Sequence, residues 1–312
     1  MTPRHRILPA PAARRHRDVR TNAGPTAERE ARQAGTFRTK ENRVRIGFIG
    51  AGRMGTPMIR RLTAAGHSVR ALGRDPGARA AITATGATAL GSAAEAGRDA
   101  EAVVICVFTD QQVREVCLDS GLLETMPPGS VLILHTTGSP DTATTIAAAP
   151  AAAGRHVVDA PVSGGPHNIA DGSLTVFLGG SADATARARP VLAAYADPVL
   201  SVGELGNGQR VKLVNNSLFA AQIGLVTEAV RLARELGLTE AEVLSALPHA
   251  SSSGRAVLSV AAKGSVAAFA ESVGDFLRKD VAVARELADR LGSDLGLLDP
   301  AIRAAVGSGG PR

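Results

Sequence analysis

Short apolar runs alternate with helix-patterned stretches along roughly the first two thirds of the chain. Apolar runs with few polar interruptions occupy residues 44–49, 67–72, 102–108, 130–134 and 156–160. Uninterrupted apolar strands separated by helical lengths are typical of a parallel sheet that helices cover on both faces. The pattern therefore predicts an α/β fold with a doubly wound parallel sheet. Further on, residues 173–178 and 199–202 have strand patterns and residues 183–195 a helical one.

The pattern changes at residue 206. From there the apolar positions recur at helical spacing and no strand pattern appears. Helices are predicted over residues 206–237, 240–247, 255–262 and 275–291. We therefore expect a sheet domain over residues 44–205 and an all-helical domain over residues 206–312, whose Gly/Pro-rich end from residue 307 is expected to fray.

Three glycines follow the first apolar run in the spacing G-x-G-x-x-G. Gly50, Gly52 and Gly55 stand between this strand and a helix-patterned run over residues 58–65. In a dinucleotide-binding turn the first glycine permits the tight turn, the second lets the backbone approach a pyrophosphate, and the third lets the helix pack on the strand. The sheet domain is thus expected to be of the Rossmann type, with the helix N-terminus facing the phosphates.

Arg74 lies where the second strand is expected to end, in the turn Gly-Arg-Asp-Pro of residues 73–76. An acidic side chain at this place would accept hydrogen bonds from the adenosine ribose, whereas an arginine can bind a 2′-phosphate. Arg74 therefore favours NADPH over NADH as the cofactor, with NAD also considered.

The basic charge is concentrated at one end of the chain. The formal net charge is +6, but residues 1–43 hold 11 of the 35 Lys and Arg residues and only 4 of the 29 Asp and Glu residues. We expect this segment to be a disordered extension, and since the remainder is nearly neutral we expect no nucleic-acid partner. No apolar run reaches the roughly 18 residues of a membrane helix. Two cysteines without metal-ligand spacing indicate a reduced, cytoplasmic protein with no metal site.

Two polar groups in the second half of the chain suggest a reaction centre. Lys212 and Asn216 are four residues apart at the start of the long helix and so project from one face. A lysine here can exchange a proton with a carbonyl oxygen while an amide holds that oxygen, and the helix start is expected to lower its proton affinity. The turn of Ser163, Gly164 and Gly165 brings backbone N–H groups together as a carboxylate-binding turn requires.

Four motifs in this order resemble the β-hydroxyacid dehydrogenase family, which includes 3-hydroxyisobutyrate dehydrogenase. They are the glycine turn of residues 50–58, the Asp-Ala-Pro-Val-Ser-Gly-Gly run of residues 159–165, the Gly-Asn-Gly of residues 206–208 with the Lys-Leu-Val-Asn-Asn of residues 212–216, and Lys279 with Asp280. The resemblance covers residues 44–298. It implies hydride transfer between a nicotinamide and a small 3-hydroxy acid or its semialdehyde or keto form.

The resemblance also assigns roles. Lys212 matches the general acid/base, Asn216 its partner at the substrate oxygen, and the turn of Ser163, Gly164 and Gly165 the site for the substrate carboxylate. The positions that match cofactor contacts are Gly50, Gly52, Arg53, Met54, Gly55, Thr137 and Lys279. A homodimer or homotetramer built through the helical domain is implied as well. The sequence departs from the family pattern at Gly73, which bears on the cofactor preference, conservatively at the His-Thr-Thr-Gly of residues 135–138, and at residues 166–168, whose bulkier side chains leave the substrate open.

Two alternative functions are also compatible with the sequence. One is an NADPH-dependent imine reductase, which shares the glycine turn and the arginine but usually lacks a lysine at position 212. The other is a non-catalytic nucleotide-binding module whose partner surface carries the function, an alternative supported by the basic extension of residues 1–43. Cyclic imines compared with short semialdehydes discriminate the first, and salt-sensitive DNA binding that depends on residues 1–43 discriminates the second.

Overall fold

The computed structural model describes residues 43–306. The expected disordered extension, apart from its last residue, and the expected frayed end from residue 307 both lie outside the described residues.

A six-stranded, wholly parallel sheet in the order β3-β2-β1-β4-β5-β6 forms the centre of the first part of the chain. Its strands are β1 (Arg45–Ile49), β2 (Ser68–Leu72), β3 (Thr88–Leu90), β4 (Ala102–Ile105), β5 (Val131–Leu134) and β6 (His156–Asp159). Strand β1 pairs with β2 on one side and with β4 on the other. The strands that follow β1 are therefore added first on one side of it and, from β4 onwards, on the other, so the strand order reverses between β1 and β4. Ligands bind at the carboxyl ends of the strands at such a reversal.

Helices cover both faces of this sheet. They are α1 (Gly55–Ala64), α2 (Pro76–Thr83), α3 (Ala93–Gly97), α4 (Asp110–Leu118), α5 (Leu122–Thr125), α6 (Pro140–Ala148), α7 (Pro166–Asp171) and α8 (Ala182–Leu192). Successive side chains of β4 pack on opposite faces of the sheet. Val104 belongs to one apolar cluster, and Val103 and Ile105 belong to another. The sheet is therefore buried on both faces, and the expected doubly wound architecture is confirmed.

A second, three-stranded sheet accounts for the later strand patterns. Strands β7 (Val162–Ser163) and β8 (Leu174–Leu178) are antiparallel, and β9 (Ala196–Ser201) runs parallel to β8. The chain leaves the main sheet at Pro161, which has no N–H to donate to a ladder. Its carbonyl instead accepts from Phe177 N at 3.0 Å.

The rest of the described chain is helical. It consists of α9 (Asn207–Glu235), α10 (Glu240–Ala246), α11 (Arg255–Lys263), α12 (Val266–Arg290) and α13 (Leu298–Val306). Helix α9 has 29 residues. It lies so close to α13 that a Cβ on Gly224 would meet the carbonyl of Ala301. An all-helical second part was predicted and is confirmed.

Several predicted element bounds are wrong. The strand expected over residues 199–202 begins at Ala196, and the helix expected over residues 183–195 ends at Leu192. The helix expected over residues 275–291 begins at Val266 instead. The prediction started it too late because Gly274 interrupts the helical sequence pattern. In the structure the helix continues through Gly274, since the side chains of Val266 and Leu277 on either side of it are buried. The strand expected over residues 102–108 ends at Ile105.

The two cysteines lie in this first part of the structure, and both are free thiols. Burial raises the pKa of Cys106 and of Cys117 to about 12. Such thiols remain protonated and poorly reactive near neutral pH.

Among residues 43–306, no single helix has both the length and the hydropathy of a membrane span. Helices α11 and α12 meet the length and hydropathy criteria only when they are taken as one segment, and their axes are bent by 116° relative to each other.

Candidate functional site

The glycine turn at the end of β1 is shaped by close packing on two sides. Gly50 has a φ of 106°, and a Cβ there would meet the carbonyl of Cys106. A Cβ on Gly55 would meet the carbonyl of Gly50 and the ring of Phe48. Around Gly52, in contrast, no atom lies within 4 Å of an added Cβ. The first and third glycines are thus required by the protein itself, while the second leaves open space in front of the turn.

The turn that joins β1 to α1 is held by its own hydrogen bonds. Thr56 donates its N–H to the Gly52 carbonyl at 2.9 Å and its hydroxyl to the Ala51 carbonyl at 3.0 Å. Arg53 is exposed and Met54 half-buried, and both precede the first residue of α1. A helix N-terminus that follows an open glycine turn fits a diphosphate, because its N–H groups and dipole favour an anion.

At the end of β2, Arg74 is exposed and forms no hydrogen bond or ion pair with any residue that the structure describes. The neighbouring Asp75 is occupied, since its carboxylate accepts from Ala78 N at 2.8 Å and caps α2. Arg79 donates to the Gly73 carbonyl at 3.2 Å. The acidic side chain beside Arg74 is therefore turned towards a helix, and the guanidinium is left for a ligand.

The turn after β5 is fixed by side chains from the helical part of the chain. Gln209 on α9 donates to the Thr136 carbonyl at 2.8 Å and accepts from Gly138 N at 3.0 Å. Lys279 on α12 donates to the Thr137 carbonyl at 2.7 Å. Its ammonium also lies 5.7 Å from the centroid of the exposed Phe108 ring. Thr137 and Lys279, which the resemblance paired as cofactor contacts, are thus direct neighbours.

A buried polar cluster links α9 with α12. Asp280, 3% exposed, accepts from Asn216 Nδ2 at 2.5 Å and from Lys279 Nζ at 2.6 Å. Asn216 Oδ1 accepts from the Asn215 amide at 2.9 Å. Each oxygen of the Asp280 carboxylate therefore has its own donor, and the amide of Asn216 is fixed in orientation with one N–H left over.

Lys212 is 8% exposed, and its ammonium forms no hydrogen bond or ion pair within residues 43–306. Burial lowers its pKa to about 8, the charge of Asp280 raises it and the charge of Lys279 lowers it further. The lowered pKa agrees with the expectation, but its main cause is burial and not the helix start. A lysine with this pKa can both donate and accept a proton near neutral pH.

The expected carboxylate turn begins at Ser163, the last residue of β7, and leads into α7. Gly164 has a φ of 128°, a conformation that side chains rarely adopt. The Ser163 hydroxyl has no hydrogen-bond partner among the described residues. The N–H of Gly165 is already taken, because it donates to Asn168 Oδ1 at 2.9 Å. Ser163 and the Gly164 backbone are thus the groups of this turn that remain for a carboxylate.

His135 joins the turn after β5 to the segment that leads into the carboxylate turn. Its Nδ1 lies 2.6 Å from the Ala160 carbonyl, and its Nε2 lies 2.8 Å from the Tyr195 hydroxyl. Burial lowers the pKa of His135 to about 4. The imidazole is therefore neutral, with Nδ1–H donating to Ala160 and Nε2 accepting from Tyr195.

Sequence reasoning missed four residues of this site: His135, Asp159, Gln209 and Asp280. A signal was present for three of them, since Asp159 opens the quoted motif of residues 159–165. Gln209 stands three residues before Lys212 and so shares its helix face, and Asp280 belongs to a motif in which only Lys279 was given a role. No group of three or more His, Cys, Asp or Glu residues within 43–306 is arranged to hold a metal ion.

The chain matches two family models in succession. Residues 45–203 match the NAD binding domain of 6-phosphogluconate dehydrogenase. Residues 206–304 match the NAD-binding domain of NADP-dependent 3-hydroxyisobutyrate dehydrogenase.

Similar proteins include two from Pseudomonas aeruginosa. The chain is 37% identical over 216 residues to the NAD-dependent L-serine dehydrogenase of this organism. The aligned segment covers 69% of this chain and 72% of that protein. The 3-hydroxyisobutyrate dehydrogenase of the same organism has the same identity and coverage. The solved structure of Mycobacterium tuberculosis 3-hydroxyisobutyrate dehydrogenase with L-serine superimposes with a TM-score of 0.75 at 29% identity, covering 85% of this chain and 94% of that one.

Proposed function

The chain belongs to the β-hydroxyacid dehydrogenase family and is an NAD(P)-dependent hydroxyacid dehydrogenase, and on this premise we propose that it interconverts a small 3-hydroxy acid and its semialdehyde or keto form with Lys212 as general acid/base. The observation that carries the proposal is the Lys212 ammonium, which is buried, has a pKa lowered to about 8 and pairs with no described residue. A buried ammonium without a partner is costly for stability, so a role in proton transfer explains its presence.

The chemistry requires a hydride and a proton. When bound, the nicotinamide supplies the hydride in reduction and accepts it in oxidation. In reduction Lys212 donates its proton to the substrate carbonyl oxygen, and in oxidation it takes the hydroxyl proton. Asn216, which Asp280 holds by one N–H, donates its other N–H to the same oxygen. Ser163 and the backbone of Gly164 bind the carboxylate.

For the cofactor, Gly50, Gly52, Arg53, Met54 and Gly55 bind the pyrophosphate and Thr137 and Lys279 bind the nicotinamide side. We propose a preference for NADPH, with Arg74 on the 2′-phosphate. The engagement of Asp75 in capping α2 supports this, because the carboxylate next to Arg74 is turned to its own helix.

A homo-oligomer is also proposed. Leu218, Leu225 and Leu232 of α9 recur every seven residues and are 47%, 59% and 52% exposed. Apolar residues at this spacing form a continuous seam along a helix. A second copy of the chain covers this seam in a dimer, and pairing of such dimers gives a tetramer. The two free cysteines support placing the protein in the cytoplasm.

The test is a cofactor-oxidation screen against methylmalonate semialdehyde, succinic semialdehyde, tartronate semialdehyde and glyoxylate, run with NADPH and with NADH. The reverse direction uses 3-hydroxyisobutyrate and L-serine. Turnover of one of these acids that falls about 10²- to 10⁴-fold in Lys212→Ala, with NADPH binding retained, is the expected result. Near-normal turnover in Lys212→Ala overturns the assignment, and turnover of cyclic imines alone supports the imine reductase reading instead.

A further inference from the structure

The start of helix α9 is tied to the end of strand β6 by one buried carboxylate. Asp159 is completely buried, and its two oxygens accept from Gly206 N at 2.8 Å and from Gln209 N at 2.7 Å. Gly206 directly precedes α9 and Gln209 lies in its first turn, where the N–H groups otherwise have no partner within the helix. The position of α9 along its own axis is therefore set from the sheet.

The side chain of Gln209 extends the same connection to a second strand end. It is 3% exposed, its Nε2 donates to the Thr136 carbonyl at 2.8 Å, and its Oε1 accepts from Gly138 N at 3.0 Å. Only one orientation of the carboxamide satisfies a carbonyl acceptor and an N–H donor together. Gln209 thus holds the turn after β5 in a single arrangement relative to α9.

Lys212 follows on the same helix face, less than one turn after Gln209. From the other side, Lys279 donates to the intervening Thr137 carbonyl at 2.7 Å. Three successive residues of the turn are thus bonded to side chains of the helical part. The separation between this turn and Lys212 is consequently fixed by side-chain hydrogen bonds and not by the chain connection alone.

We propose that Gln209 is a positioning residue for hydride transfer. It sets the distance between the turn that contacts the cofactor at Thr137 and the Lys212 ammonium that exchanges the proton, and so aligns cofactor and substrate. The proposal rests on the proposed function of Lys212 and Thr137. A misplacement of about 1 Å between reacting groups costs roughly 100-fold in rate, so the loss of both hydrogen bonds is expected to act on the chemical step.

The first experiment replaces Gln209 by Met, which has similar volume but neither hydrogen bond. We expect kcat to fall about 10- to 100-fold. The isotope effect on kcat with NADPH deuterated at C4 rises, and the dissociation constant of NADPH changes little. Gln222→Met is the matched control, because Gln222 is an exposed glutamine of the same helix. It should match the wild type in every readout.

A second variant, Gln209→Glu, keeps the shape and allows rescue by protonation. A carboxylate still accepts from Gly138 N but opposes the Thr136 carbonyl, whereas a carboxylic acid restores the donor. The ratio of the Gln209→Glu kcat to the wild-type kcat should therefore rise as the pH is lowered. A role limited to folding would not produce this recovery together with an isotope effect.

The outcomes separate this proposal from the proposed function. Wild-type kcat and isotope effect in Gln209→Met overturn the positioning role while Lys212→Ala still loses turnover. A lower melting temperature with no change in isotope effect and no recovery of Gln209→Glu at low pH also overturns it. If Lys212→Ala retains turnover, the proposed function fails, and the proposal for Gln209 fails with it.

Discussion

The amide of Asn216 donates a 2.5 Å hydrogen bond to the carboxylate of Asp280, and so joins the helix of Lys212 to the helix of Lys279. The carboxylate is 3% exposed and has an ammonium on its other oxygen. Its charge acts on Lys212 from a distance, because it raises the pKa of that lysine against the effect of burial. Asp280 is thus positioned to influence both the orientation of Asn216 and the proton affinity of Lys212.

Asp280→Asn is expected to shift the pH dependence of the reaction to lower pH. Without the carboxylate charge the pKa of Lys212 falls below about 8. The loss of a charged hydrogen-bond acceptor should also lower the free energy of unfolding by about 1–3 kcal/mol. The measurements are the kcat profile against pH and denaturant unfolding. Asp275→Asn on the same helix is the control, since its side chain is 88% exposed, and an equal pH shift there would contradict the prediction.

The pKa of Lys212 predicts opposite pH dependences in the two directions. Reduction needs the protonated lysine, so its kcat should decline as the pH rises through about 8, whereas oxidation needs the neutral lysine and should decline below it. Initial rates in both directions across this range provide the measurement. Lys212→Arg stays protonated and should lose this titration in any residual activity. Profiles that keep the same shape in Lys212→Arg would assign the titration to another group.

Arg74→Ala is expected to weaken the binding of NADPH and to leave the binding of NADH nearly unchanged. A lost charged hydrogen bond costs about 1.5–3 kcal/mol, or roughly a 10- to 100-fold increase in the KM for NADPH. Steady-state kinetics with each cofactor measure the ratio. Arg98→Ala removes an exposed arginine after α3 and serves as control. An equal change for NADPH and NADH in Arg74→Ala would exclude a contact with the 2′-phosphate.

The lowered pKa of buried His135 predicts that the folded protein loses stability in acid. The pKa of His135 is lowered by burial from 6.5 to about 4 in the folded protein, so the unfolded chain binds the proton first as the pH falls. The contribution of neutral His135 is fully present above about pH 6.5 and is lost progressively towards pH 4, by about 3 kcal/mol. Unfolding free energies at several pH values measure this. His135→Gln should remove that part of the dependence, while exposed His249→Gln should leave it intact.

Leu225→Glu is expected to break the proposed dimer. Leu225 is 59% exposed at the middle of the apolar seam on α9, and a charge there opposes burial against a second copy. Sedimentation at micromolar concentration should show a monomer for Leu225→Glu and a dimer or tetramer for the wild type. Leu258→Glu makes the same substitution at a leucine of α11 that is 49% exposed and lies outside the seam, and this variant should stay assembled. A monomeric wild type would rule out the oligomer.

Much of the fold was predictable because its local signals agree with the tertiary result. The apolar run of β5 and the glycines after β1 identify their elements without any partner. Where a local signal was absent the prediction was wrong. Gly274 concealed the first turns of α12, which are stabilised by the burial of Val266 and Leu277.

For the candidate site, sequence alone pointed to single residues and not to their connections. Lys212, Asn216 and Lys279 were selected by motif and spacing. That Asn216 and Lys279 meet on Asp280 was not predictable, because Asn216 and Asp280 are 64 residues apart in the sequence and only the packing of their helices brings them together.

By itself the sequence determined a doubly wound α/β part, a helical part after residue 206 and a short set of chemically suited side chains, since hydrophobic periodicity and glycine spacing are local properties. Only the tertiary structure decided what surrounds those side chains. Burial lowers the pKa of Lys212, Asp159 fixes the start of α9, and Gln209 holds the turn after β5. Desolvation and hydrogen-bond geometry depend on atoms that distant parts of the chain supply, so they arise only when the sheet and the helices pack together.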